Sequence, residues 1–113
     1  MTMVWKKTIS AKALVKAGNA SVKVGGNVVF ISNVGGNLYA MNGVCSHFRC
    51  ILGDLDADAL KVRCECHDAV FELETGKMVK PPFVAPDMKM DSMGLDTFPI
   101  REENGFIEVD LPE

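Results

Sequence analysis

Residues 45–67 read CSHFRCILGDLDADALKVRCECH and hold all four cysteines and both histidines of the chain. They form two boxes, Cys45-Ser46-His47-Phe48-Arg49-Cys50 and Cys64-Glu65-Cys66-His67. Read as C-x-H followed by C-x-x-H, each box offers one thiolate and one imidazole. The 16 residues between His47 and Cys64 leave room for a strand and its turns. Two such loops side by side can clasp a metal centre from opposite sides. A secreted disulfide scaffold would instead scatter its cysteines to staple distant loops. Zinc on the same ligands, or on the four cysteines, is a second reading, although C-x-H is shorter than the usual zinc spacing. Plain disulfides with incidental histidines are a third. That reading leaves unexplained why each histidine stands at a ligand spacing from a cysteine.

Outward from the boxes, short β-branched runs alternate with glycine or asparagine, the pattern of an all-β domain. Strands are expected over residues 4–9, 21–24, 28–33, 38–42, 60–63, 70–73, 98–102 and 106–111. Gly25-Gly26, Gly35-Gly36 and Asn104-Gly105 read as hairpin turns. No helical pattern follows these glycines, so they do not form a phosphate loop. Residues 80–97 carry Pro81, Pro82 and Pro86 and have no strand period, which predicts a long ordered loop. Its Met88, Met90 and Met93 read as gap-fillers for a core.

A chain of 113 residues that is 48% hydrophobic has room for one compact domain with a modest core. The net charge of -3, without a basic run, argues against a nucleic-acid partner. The first ten residues, MTMVWKKTIS, lack the apolar stretch of a signal peptide, and no segment reaches the length of a membrane span. A soluble, cytoplasmic protein is the expectation.

With these segments in place, the chain resembles the Rieske family, whose motif pairs C-x-H with C-x-x-H. The two additional cysteines resemble those of its disulfide-bearing, respiratory-type branch. Residues 71–76, FELETG, look like the family's strand and turn after the second box. Pro81-Pro82 is similar to its proline loop, and residues 98–111 to its closing hairpin. The resemblance covers nearly the whole chain and is nearest to the soluble Rieske-type ferredoxins of thermophilic archaea. It implies a Rieske fold of antiparallel sheets, a single domain over residues 1–113 with a small cluster-binding subdomain at about 43–83. It also implies one [2Fe-2S] cluster, with Cys45 and Cys64 on the inner iron and His47 and His67 on the outer one. Cys50 and Cys66 would form a disulfide between the two loops. A disulfide is unusual in the cytoplasm, where thermophile proteins are the recognised exception.

The ligand set carries a charge argument. Two ferric ions, two sulfides, two thiolates and two neutral imidazoles sum to zero, and reduction takes the centre to -1. Four thiolates would start at -2, which makes the added electron costlier. Histidine ligation accordingly raises the potential to about -150 to +300 mV, against roughly -400 mV for four-cysteine plant-type clusters.

Around the centre the chain departs from the respiratory pattern. Ala69 and Phe71 stand where that pattern has serine and tyrosine hydroxyls bonded to sulfur, so two donors that favour the reduced form are missing. Asp68 replaces a usual glycine, and Asp tolerates a left-handed backbone better than most residues. Arg49 also replaces a glycine. Asp68 and Arg49 read equally well as a solvated surface pair.

The function implied is that of a one-electron carrier with no catalytic residues of its own. It would be a monomer that docks on redox protein partners by the exposed histidine edge, beside Phe48 and Pro81-Pro82. The alternative is a ferredoxin component or small Rieske subunit of a larger oxidoreductase. A catalytic Rieske oxygenase would need a second iron site of two histidines and a carboxylate, and both histidines are already used. Solvent-facing imidazoles would make the potential pH-dependent. The oxidised centre gives up a ring proton more readily, so the potential should be flat in acid and fall in alkali.

Overall fold

The computed structural model describes residues 3–45 and 50–112. Among the described residues, ten strands fall into three antiparallel sheets. Strands β1 (Met3–Ser10), β10 (Phe106–Pro112) and β9 (Ile100–Glu103) form the first, in that spatial order. Strands β2 (Asn19–Val24), β3 (Asn27–Val34) and β4 (Asn37–Asn42) form the second. Strands β5 (Asp54–Asp56), β6 (Lys61–Arg63), β7 (Val70–Glu72) and β8 (Met78–Lys80) form the third.

All three expected hairpins are present. Val24 pairs with Asn27, Val34 with Asn37 and Glu103 with Phe106, so each loop has two residues. Both residues of each loop have positive φ, as at Asn104 (53°) and Gly105 (82°). That backbone matches the twist of the flanking strands, and Asn and Gly adopt it most cheaply.

The middle sheet separates two cores. Side chains alternate along a strand, so Val29, Ile31 and Ala40 face one side while Phe30 and Met41 face the other. The first set packs with Leu14, Ile107, Val109 and Leu111. The second packs with Cys45, Leu52, Val62, Cys64, Ala69, Phe71, Leu73, Met78 and Leu95. Burial on both faces is why β3 reads as a continuous apolar run rather than an alternating one. The second core contains two cysteines, and on it the site is built.

Helix α1 (Ala11–Ala17) has no counterpart in the sequence-based expectations. The Ser10 hydroxyl accepts from the Ala13 N–H at 3.2 Å, and Gly18, at φ 85°, donates to the Leu14 carbonyl at 2.7 Å. Only Leu14 is buried, so the helix shows no apolar stripe. Strands β5 and β8 were also not expected, and the strand expected over 60–63 starts one residue later. Leu60 has φ 54° and belongs to the preceding turn.

The long loop is ordered, as its composition suggests, and begins after β8. Apart from a single 3-10 turn at Met90–Ser92 it is irregular. It is tied down through its backbone: Leu95 N–H donates to the Gly76 carbonyl at 2.7 Å, Asn42 N–H to Asp96 at 2.9 Å and Phe98 N–H to Ala40 at 3.0 Å. Met88, Met90 and Met93 pack half-buried against the second core, the gap-filling role. The loop is a strap across the site. Among the described residues no helix is long and apolar enough to cross a membrane.

Candidate metal centre

The ends of both boxes are joined by the same device. In the first, the Cys45 N–H donates to the Cys50 carbonyl at 2.7 Å, and Val44 and Ile51 form an isolated bridge beside it. In the second, the Cys64 N–H donates to the Ala69 carbonyl at 2.7 Å. Each bond runs from the first cysteine of a box to the carbonyl five residues on. Asp68 N–H also donates back to the Cys64 carbonyl at 3.0 Å. That tight turn places Asp68 at φ 63°, the left-handed conformation its side chain tolerates.

The loops are bridged by the Cys50–Cys66 disulfide, the pairing the resemblance implies. Cys45 and Cys64 lie outside it, each 1% exposed, within one apolar cluster. The Sγ atoms of Cys50, Cys64 and Cys66 lie within 4.8 Å of one another. His67 is half-buried, with its Nδ1 shielded from solvent. The Phe83 ring stands edge-on to it at 5.5 Å, and the Phe83 N–H donates to the His67 carbonyl at 2.9 Å. The strap therefore orients the histidine.

Two buried sulfurs outside the disulfide and a shielded imidazole nitrogen suit an iron–sulfur cluster bound by thiolates and imidazoles. The residues present fit that group by donor chemistry. His47 and Phe48, with Ser46 and Arg49, lie outside the described residues.

Other expected positions are placed as follows. Ala69 and Phe71 are fully buried in the cluster that holds both cysteines, so the two missing hydroxyls leave an apolar wall. Asp68 is a surface group, its side chain 42% exposed, and it forms an ion pair with Arg63. Arg63 also bonds Asp54 through Nε at 2.6 Å. These two partners, Asp54 foremost, hold the guanidinium pKa above its ordinary value. Arg63, unremarked in the sequence, thus links β5 to the turn that carries His67. Its position directly before Cys64 was the available signal. Pro82 is buried and Pro81 half-buried, because the strap folds back over the core there. Among the described residues, Phe83, 63% exposed, reaches solvent beside His67, and Val84, 54% exposed, follows it in the chain.

The profile of the Rieske [2Fe-2S] domain matches residues 4–99. The chain belongs to this family. It is 62% identical over 109 residues to sulredoxin from Sulfurisphaera tokodaii, covering 96% of this chain and all of that one. It is 41% identical over 88 residues to the 3-phenylpropionate/cinnamic acid dioxygenase ferredoxin subunit of Escherichia coli, covering 76% of this chain and 74% of that one. Among solved structures, the terminal oxygenase of carbazole 1,9a-dioxygenase from Novosphingobium sp. KA1 superposes with a TM-score of 0.80 at 20% identity. The chain spans 96% of its own length there but only 30% of the oxygenase, so that likeness concerns the fold of one part. The Rieske fold that the resemblance implies is the fold observed.

Proposed function

We propose that this Rieske protein is a one-electron carrier whose [2Fe-2S] cluster is held by Cys45 and Cys64 on one iron and by His47 and His67 on the other. When bound, the cluster accepts and returns one electron. The observation that carries the reading is the pair of cysteines buried outside the disulfide in one apolar cluster, with half-buried His67 three residues after the second of them. Cys45 and Cys64 anchor the centre in the interior, where their thiolates are kept from water. His67, under the strap, lies where an electron can pass to a partner. Its second ring nitrogen couples that electron to a proton, so the potential falls in alkali.

The partner is a redox protein that contacts His67 over Phe83 and Val84. The two relatives are named as a sulredoxin and a dioxygenase ferredoxin subunit, neither name denoting a catalyst. The second supports a reading in which this chain supplies electrons to a larger oxidoreductase. The carrier acts as a monomer in the cytoplasm, and residues 43–83 serve as its cluster-binding subdomain. Protein-film voltammetry tests the function: one reversible one-electron wave is expected, together with two irons and two labile sulfides per chain. A chain with iron but no reversible wave would contradict it.

A further inference from the structure

The disulfide sits against a third sulfur. Cys64 is buried, Cys50 half-buried and Cys66 exposed, so the three Sγ atoms run from the core to the surface within 4.8 Å of one another. We propose that reduction of the Cys50–Cys66 disulfide opens a second metal site, in which Cys50, Cys64 and Cys66 bind one zinc-class divalent cation as thiolates. The disulfide keeps that site closed.

The geometry suits such an ion. Zinc–sulfur bonds of about 2.3 Å in a tetrahedron set the sulfurs about 3.8 Å apart. Cys64 Sγ has to close on the other two sulfurs by at most about 1 Å. The Cys50 and Cys66 sulfurs, bonded in the oxidised chain, part by about 2 Å once reduced, and both shifts are within reach of side-chain rotation. The backbone beneath is held independently of the disulfide, by the Cys45 to Cys50, Cys64 to Ala69 and Asp68 to Cys64 hydrogen bonds. Exposed Cys66 gives entry from solvent, and the fourth coordination position is left to water. Thiolates select zinc-class ions over hard cations.

The chemistry balances with a dithiol as reductant. Its two thiols exchange with the disulfide, the Cys50–Cys66 bond breaks, and the dithiol leaves as a cyclic disulfide. Cys50 and Cys66 are then thiols like Cys64, and metal binding displaces their three protons. While the disulfide is intact, two of the three sulfurs have no thiolate to offer. The bond then acts as a metal-selectivity device. The consequence that zinc blocks cluster assembly rests on Cys64 being a cluster ligand; the site itself does not.

The test uses the full chain freed of iron, with the disulfide intact or reduced by a dithiol that is then removed. Each form is titrated with Co²⁺ without iron, reading the thiolate-to-cobalt charge-transfer band. The reduced chain should bind Co²⁺ at least tenfold more tightly than the oxidised chain, in which Cys45 and Cys64 with the histidines offer two thiolates at most. Cys64→Ser and Cys66→Ser should each cost the reduced chain tenfold or more. Equal affinity in the two redox states, or a Cys64→Ser variant that binds as well as the parent, would overturn the proposal. X-ray absorption on the zinc-loaded reduced chain counts sulfurs without any variant. Three are expected; four, which would bring in Cys45, or two and fewer would overturn it. Neither readout depends on iron, so a failed cluster assignment would leave this result standing.

Discussion

Gly76 joins the strap to the sheet beneath it, and replacing it should damage stability and site together. It lies at φ 76°, where an alanine costs about 1–2 kcal/mol. A Cβ built there would stand 1.9 Å from the Leu95 carbonyl oxygen and 3.0 Å from its carbon, both backbone atoms that cannot rotate away. Relieving that overlap adds about 1–3 kcal/mol. It also breaks the Leu95 N–H bond to the Gly76 carbonyl, worth about 1 kcal/mol. Gly76→Ala should therefore lose about 3–6 kcal/mol, or roughly 10–25 °C in Tm for a chain of this size. Gly25→Ala is the control, because φ is 55° but nothing lies within 4 Å of its Cβ. Only the backbone term applies there, about 1–2 kcal/mol. Denaturant unfolding of both variants with the disulfide intact measures the difference. Leu95 packs in the cluster that holds Cys45 and Cys64, so Gly76→Ala should also bleach the visible chromophore at lower temperature. Equal losses in the two variants would refute the reasoning, since the contact with Leu95 would then carry no cost.

Other expected outcomes concern the site. Cys50→Ser should keep two irons per chain in zinc-free medium but lower stability by about 3 kcal/mol, the chain-entropy value for the 16-residue separation; chemical denaturation and iron analysis check both halves. Ala69→Ser and Phe71→Tyr should each raise the potential by restoring a donor near sulfur, and unchanged voltammetry in both would mean that neither hydroxyl reaches the centre. The potential itself should stay flat in acid and fall by about 59 mV per pH unit in alkali, one proton following one electron; a titration from about pH 5 to 10 that shows no slope would exclude solvent-facing imidazole ligands.

What could be read from the sequence was what chemistry forces on residue type. The boxes announce themselves because thiolates and imidazoles at ligand spacing have few other uses. The hairpins do so because a two-residue loop needs positive φ. Helix α1 leaves no trace, since seven residues that bury only Leu14 make no periodic stripe. Strand β5, Asp-Leu-Asp, has no β-branched or aromatic residue to announce it, and β8 runs directly into Pro81-Pro82. The Arg63 link exists only after pairing, because β5 and β6 set Asp54 opposite Arg63. The burial of Pro82 beside an exposed Phe83 is hidden from the sequence for a similar reason. Which of two neighbouring apolar residues turns outward depends on the path of the strap, and its bonds to His67 and Gly76 fix that path.

The central claim, a cluster held by two cysteines and two histidines, is tested most directly by pulsed electron paramagnetic resonance of the chemically reduced protein. Couplings from two directly bound imidazole nitrogens are predicted. A signal with sulfur ligation alone, or a protein that holds zinc and gives no signal, would contradict it.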